Sequence, residues 1–364
     1  RLNGIQEVRG STPLGSTKRK KNPKKRGFFH AAIKGKGVSG MLYPLRFEPV
    51  LKERIWGGTG LRDELGRELP DGKIGESWEI TCREDGDSRV AAGPLQGKYL
   101  SELVDEFGPE LLGEKIAGTA RYGFPLLLKI LDAQDVLSVQ VHPDDEFAAA
   151  HEGCAGKNEV WYILKARPGA RIIYGLRPGV TKEEFIAALN RGQLEKCLNE
   201  VAVKAGEIYP IPPGLVHALG EGIMVVELQQ NSDLTYRVFD WNRLDGQGQA
   251  RPLHVEKALQ VIDFGKAPPR GFSPEEVDDG FSLENEDFTL LYRRVTGENN
   301  MSQSPEAFTI LTVVGGEGEL RHQGRVYPLR YGDSYLLPAC LGRYTLCGEL
   351  KLLFGSANRP LNIP

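Results

Sequence analysis

The 364-residue sequence has no apolar run approaching the roughly 18–20 residues that a membrane-spanning helix needs. It also does not begin with the charged-then-apolar pattern of a secretory signal. These absences argue against a membrane or secreted protein, and a cytoplasmic location is expected. Cysteine is scarce. The five residues Cys82, Cys154, Cys197, Cys340 and Cys347 are odd in number, scattered and without a CxxC pair. That pattern excludes a disulfide framework and a thiolate metal site, and fits reduced thiols. From Met41 onward no Gly-x-Gly-x-x-Gly loop occurs, so no organic cofactor is expected. What is present is ample core material, 40% hydrophobic residues in a chain long enough for one large or two moderate domains.

A net charge of −3 hides an uneven distribution. Residues 1–40 hold 11 Lys and Arg against the single acid Glu7, +10, whereas residues 41–364 hold 35 basic against 48 acidic residues, −13. The tail includes KRKKNPKKR at 18–26, lacks apolar periodicity and is expected to be disordered. A nuclear signal or RNA-binding arm would look like this, but so would vector-derived or upstream sequence. The second reading is preferred, the tail is set aside from fold reasoning, and no nucleic-acid partner is expected.

From Met41 the chain reads mainly as short strands. IGESWEIT at 74–81 alternates, and FPLLLKILDAQDVLSVQVHP at 124–143 reads as two buried strands joined by a polar turn. Helical spacing appears at 98–116 and at 181–199, where Thr181 with Glu184 three residues on forms a capping box. Residues 241–290 are weakly patterned, as a linker with a short helix near 254–261 would be. Lys129 lies inside an apolar strand, where a charge requires a polar cavity or an outward path.

Four side chains carry the chemistry. Gln140 and His142 share one face of a strand, Glu159 opens EVWYIL, and His217 follows the glycine- and proline-stiffened turn GEIYPIPPGLVH. One amide oxygen, two imidazoles and one carboxylate make a mixed N/O set suited to one zinc ion per chain. His30, His151, His254 and His322 lack partners at ligand spacing and read as ordinary polar residues.

The ordered motifs LSVQVHPDD, KNEVWYIL, PPGLVHAL and ELQQNSDLTYRVFDW resemble those of type I mannose-6-phosphate isomerases of the short bacterial form, which are cupins. The resemblance covers roughly 41–364. It implies a mainly β bicupin, two jelly-roll barrels with a few short helices. Only 57 residues separate Glu159 from His217, too few for the large helical insertion of the long form. A metal-binding catalytic region is expected at 41–245, and a linker with a degenerate second cupin at 246–364. In that second part FTILTVVGGEGEL reads as a strand and turn, and GDSYLLPACLGRY repeats the turn motif with Arg343 at the histidine position. Arginine has no lone pair for a metal, so the second barrel should be metal-free.

The activity implied is interconversion of mannose 6-phosphate and fructose 6-phosphate through an enediolate, with a sugar phosphate as substrate and a monomer or homodimer as the assembly. Arg237 matches the arginine to which the family assigns charge stabilisation, and Trp56 one near the sugar. Lys157, Glu227 and Asp233 match polar positions near the site. The residues leave open whether Lys157, if its pKa is depressed by metal and burial, or Glu227 is the base. Ser138 and Lys129 are the candidates for phosphate contacts. The rival readings are an iron cupin oxygenase and a non-enzymatic sugar-binding bicupin. Against the first, Gln140 with Arg237 and Lys157 argues for an anionic substrate; against the second, whose mark would be loss of Arg237 or Lys157, both residues are present.

Overall fold

The computed structural model describes residues 42–117, 123–244, 248–274 and 280–361. The basic tail at 1–40 and Met41 lie outside the described residues. The described residues all fall in one compact unit. Among the described residues, no helix is long and apolar enough to cross a membrane.

The folded chain is a set of antiparallel sheets. A six-stranded sheet runs in the order Ile208–Ile211, Glu159–Ala166, Ile223–Gln230, Leu126–Ala133, Ile74–Ile80, Val50–Gly58. A five-stranded sheet runs Leu198–Ala202, Arg171–Leu176, His217–Ala218, Val139–Val141, Tyr236–Phe239. A C-terminal sheet runs Phe281–Glu284, Phe288–Ser302, Arg343–Ala357, Thr309–His322, Arg325–Leu329, with Ser334–Leu337 beside Thr309–His322.

Three central strands explain the continuous apolar runs in the sequence. Ile223–Gln230, Glu159–Ala166 and Leu126–Ala133 are covered on both faces, a condition under which a strand loses its polar alternation. The period of two survives beneath. Val225, Trp161 and Leu131 point into the first core with Trp56, Tyr174 and Ile211. Their neighbours Val226, Leu228, Tyr162, Leu128 and Ile130 point the other way, into a core shared with Leu290, Ile310 and Leu353 of the C-terminal sheet. The inward face also carries Lys129, Glu159 and Glu227, while Asp132 and Gln230 fall on the opposite face.

The helices are shorter than their periodicity suggests. The stretch 98–116 breaks into Leu100–Phe107, Pro109–Leu112 and Glu114–Ala117, because Gly108 and Gly113 take positive φ between them. The second helix ends at Asn190, before Gly192 (φ 64°), and 194–199 becomes a single 3₁₀ turn and a strand. Its capping box is present: the Thr181 hydroxyl accepts from Glu184 N at 3.2 Å and the Glu184 carboxylate accepts from Thr181 N at 3.0 Å. The short helix Val255–Val261 falls where expected, but 281–284 is a strand rather than linker. The glycines of 308–320 make a bulge within one long strand, Thr309–His322, not a turn, as the register shifts between Val313 and Gly315. The interior of the C-terminal sheet is filled by Leu311, Val313, Leu320, Tyr335, Leu346 and Leu352. Arg343 is exposed at the start of its strand.

Candidate active site

The site lies between the first two sheets, where two rows of side chains are set by strand register. On the six-stranded sheet, Trp161 pairs with Glu227, Glu227 with Lys129 and Lys129 with Trp78. On the five-stranded sheet, Tyr174 pairs with His217, His217 with Gln140 and Gln140 with Arg237. Gly214 makes the second row possible. Its φ of 82° is left-handed, a conformation that favours glycine, and it turns the chain three residues before His217.

His142, Glu159 and His217 are fully buried and their donor atoms all lie within 4.8 Å of one another. His142 Nδ1 donates to Leu234 O at 2.9 Å and His217 Nδ1 donates to Leu215 O at 2.8 Å. Those bonds fix the tautomers, so both Nε2 lone pairs face inward. His142 Nε2 is 3.6 Å and His217 Nε2 3.5 Å from oxygens of Glu159. A tetrahedral ion with ligands near 2.1 Å separates its donors by about 3.4 Å, so the spacing fits a metal. The chemistry of the donors agrees: His142 Nε2 and Glu159 Oε1 are buried without a hydrogen-bond partner among the described residues. Gln140 donates from Nε2 to His217 Nε2 at 3.3 Å. Turned over, its amide presents Oε1 to the same point.

Burial pushes both imidazoles down, His217 to about 3, so they stay neutral as ligands must. Glu159 goes the other way. Burial opposes its charge, but Lys157, whose Nζ is 2.8 Å from Oε2, holds it well below the usual carboxylate range. The consequence for stability follows from the direction of the histidine shifts. Between about pH 6.5, the ordinary histidine value, and about 3, the unfolded chain takes up protons that folded His217 refuses. Stability from this group is complete above pH 6.5 and is lost as pH falls. Metal-stripped protein is therefore expected to show a Tm that declines from pH 6.5 downward, with His217→Gln flattening the decline in differential scanning calorimetry.

Beside the triad opens a cavity of about 460 Å³ lined by Trp56, Lys129, Ser138, Gln140, Lys157, Glu227, Asp233 and Arg237. All the residues singled out from sequence therefore meet at one place, the triad behind and the others around it. Trp56 is both lining and core. Lys129 donates to Asp233 at 2.9 Å and lies 3.6 Å from Glu227. Burial lowers Lys129's affinity for its proton, but Asp233 and its neighbouring acids overcome this and raise it; Asp233, despite its own burial, is lowered by Lys129. Lys157 is not depressed. Burial pulls it down, yet Glu159 and Glu227 raise it above the ordinary lysine value. Glu227 accepts from Trp161 Nε1 at 2.9 Å and has its pKa raised, by burial first and then by Glu159.

Arg237 differs from the other cations. Its Nε donates to Ser138 Oγ at 3.3 Å and its Nη1 to Pro252 O at 2.9 Å, and no ion pair reaches it among the described residues. Burial and then Arg251 lower its pKa, with Asp240 opposing them from beyond ion-pair distance, so it faces the cavity as positive charge with no carboxylate in close contact among the described residues. His254 is not idle: its Nδ1 accepts from Arg237 N at 3.2 Å. Several lining residues were missed by sequence reasoning. Arg54 donates to Glu76 at 2.8 and 3.0 Å, and Arg251 to Asp240 at 2.7 and 2.6 Å. Both arginines, with Thr235, line the cavity. Arg54 stands two residues before Trp56, which was a usable signal; Arg251 sits in unpatterned sequence with none.

Comparison with known proteins places this geometry. Residues 44–163 match the family described as phosphomannose isomerase type I, catalytic domain, and residues 280–355 the mannose-6-phosphate isomerase cupin domain. The chain is 41% identical over 319 residues to mannose-6-phosphate isomerase ManA of Bacillus subtilis (strain 168), covering 85% of this chain and 98% of that protein. It is 38% identical over 321 residues to the mannose-6-phosphate isomerase of Streptococcus mutans, covering 87% and 99%. The crystal structure of a Bacillus subtilis mannose 6-phosphate isomerase superposes with a TM-score of 0.76 at 37% identity, covering 86% of this chain and 99% of that one.

Proposed function

From the premise that this chain belongs to the type I phosphomannose isomerase family and is a mannose-6-phosphate isomerase, we propose that it works by metal-dependent proton transfer through an enediolate. The observation that carries this reading is the buried triad of His142, Glu159 and His217, with two donor atoms that have no hydrogen-bond partner among the described residues, beside a cavity lined by the cation Arg237. We divide the chain into a metal-binding catalytic part at 41–245 and a linker with a degenerate C-terminal cupin at 246–364, a reading supported by the family matches over 44–163 and 280–355.

Bound by the triad together with Gln140, a divalent ion such as zinc supplies Lewis-acid stabilisation of negative charge on substrate oxygens. The protein's residues do the rest. The substrate enters the cavity as a sugar phosphate, and the guanidinium of Arg237 stabilises the charge that builds up when the proton beside the carbonyl is removed. Glu227 is the favoured proton carrier, because its raised pKa makes it a stronger base than an ordinary carboxylate. Lys157, held protonated by two carboxylates, serves as a fixed positive charge or proton donor. Lys129 is matched by Asp233, so it orients that carboxylate as much as it offers a contact for phosphate. Ser138, held by Arg237, and Trp56 complete the wall against which the sugar lies.

The test is metal analysis of the purified protein followed by a coupled assay for fructose 6-phosphate formed from mannose 6-phosphate, with Glu227→Gln assayed beside it. Stoichiometric metal, activity lost on chelation and restored by zinc, and a kcat at least about 100-fold lower in Glu227→Gln are expected. Activity that survives complete chelation would refute metal dependence. An active Glu227→Gln would return the proton step to Lys157.

A further inference from the structure

Resting on the site proposed above, we infer that the C-terminal sheet positions the segment carrying Lys157 and Glu159 through Asp287 and Arg359. Asp287 lies in the turn between Phe281–Glu284 and Phe288–Ser302, and Arg359 just follows Arg343–Ala357. Both residues belong to the part that contributes no ligand to the metal triad.

Their bonds converge on Gly156 and Asn158, the two neighbours of Lys157. Asp287 accepts from Arg359 Nε at 2.7 Å and, with its other oxygen, from Asn158 Nδ2 at 2.8 Å. Arg359 Nη2 donates to Asp145 Oδ2 at 2.6 Å. The second oxygen of Asp145 accepts from Gly156 N at 2.7 Å and from Gln230 Nε2 at 3.1 Å, and Gln230 Oε1 accepts from Asn158 N at 2.8 Å. Lys157 N itself donates to Pro143 O at 3.0 Å. The backbone N–H groups of residues 156, 157 and 158 are thus all held, and two of the three trace back to Arg359 through Asp145.

The clamp has little slack. Asp287 is buried, its N–H donates to Asn285 Oδ1 at 2.8 Å and its carbonyl accepts from Asn358 N at 2.9 Å. At Gly156 even a Cβ would stand 2.4 Å from Asp144 C, so the segment is pressed against the N-cap of the helix Asp145–Glu152. Over the middle of their contact the two sheets meet through apolar side chains, Tyr162, Val226 and Leu228 against Leu290, Ile310 and Leu353. Those contacts supply cohesion. The charged network occurs where strand Glu159–Ala166 begins, beside the residue that must meet the metal. Charge-assisted bonds of this kind are short and directional, which suits fixing a position.

Asp287 and Arg359 are therefore positioning residues, and the second cupin part has a role in the reaction without touching substrate. Misplacement of reacting groups by about 1 Å costs on the order of 100-fold in rate, and loss of a partner behind a metal ligand about 10–100-fold in metal affinity. The experiment uses the full chain, stripped and reloaded with cobalt(II), with Tyr331→Phe as control. The Tyr331 hydroxyl donates to Leu164 O at 3.2 Å across the same two sheets but at the far end of the strand.

Asp287→Ala and Arg359→Ala are each expected to lower kcat about tenfold or more, weaken cobalt binding in chelator competition and change the visible cobalt spectrum. Tyr331→Phe should leave all three alone, and Arg359→Lys should recover part of the loss. If the alanine variants do not fold, Asp287→Asn, which keeps an acceptor for Asn158 but loses the charged pair, should show the same changes at smaller size. Variants that lose thermal stability yet keep kcat, cobalt affinity and spectrum within about twofold of wild type would overturn the inference alone. Wild-type protein that fails to bind cobalt stoichiometrically would overturn the proposed site and this inference with it.

Discussion

His217→Ala is expected to leave the protein without retained metal and without measurable isomerase activity, whereas Arg343→Ala leaves both unchanged. The two positions follow turns of similar sequence in the two halves of the chain, but the second has Cys340 in place of Gly214 and forms a 3₁₀ turn at Ala339–Leu341, so Arg343→Ala serves as a control away from the site. His217 is buried, presents a neutral Nε2 to Glu159 at 3.5 Å, and has its other nitrogen occupied by Leu215 O. Arg343 is exposed, and a guanidinium has no lone pair to give. Loss of a partner behind a metal ligand already costs about 10–100-fold in affinity, so loss of a ligand should cost more than that. Metal content by elemental analysis after dialysis, read beside a circular dichroism spectrum, checks the result. Stoichiometric metal in both variants would rule out the single site.

Arg237→Ala is expected to lower kcat by about 100–1,000-fold, the loss seen when one preorganised charge-stabilising donor is removed, with a much smaller rise in KM. The structure supplies the reason. Lys129, Lys157, Arg54 and Arg251 each face a carboxylate, while the Arg237 guanidinium donates to Ser138 and Pro252 O and makes no ion pair among the described residues. Its charge is thus available to an anion. If that anion is the enediolate, the interaction exists only after proton removal and appears in kcat. If it is the phosphate, present throughout, the change falls on KM, and Arg237→Lys would recover much of it because a point charge still holds phosphate. Metal must be measured in the same samples, since a variant that had lost its ion would mimic the first outcome. An unchanged kcat with raised KM and intact metal would move Arg237 to substrate binding.

The candidate metal ligands and the strands that carry them were determined locally. Gln140 and His142 share a face because strands repeat every two residues, and His217 follows a turn whose glycine and prolines restrict the backbone whatever surrounds it. The capping box fixed one helix start in the same way, but helix ends were overestimated, since apolar periodicity continued past the glycines at 108 and 192 that stop the backbone. Other features were decided only by the tertiary fold. Inside FPLLLKIL the alternation is hidden, because one face lines the first core and the other packs on the C-terminal sheet, so both are apolar. Which way Lys129 points, and that Glu227 lies beside it, depend on strand pairing between residues about a hundred positions apart. Arg251 and Arg359 carry no local pattern at all. Their partners Asp240, Asp145 and Asp287 are brought to them by folding, and an ion pair selects its members by distance in space, which linear sequence does not encode.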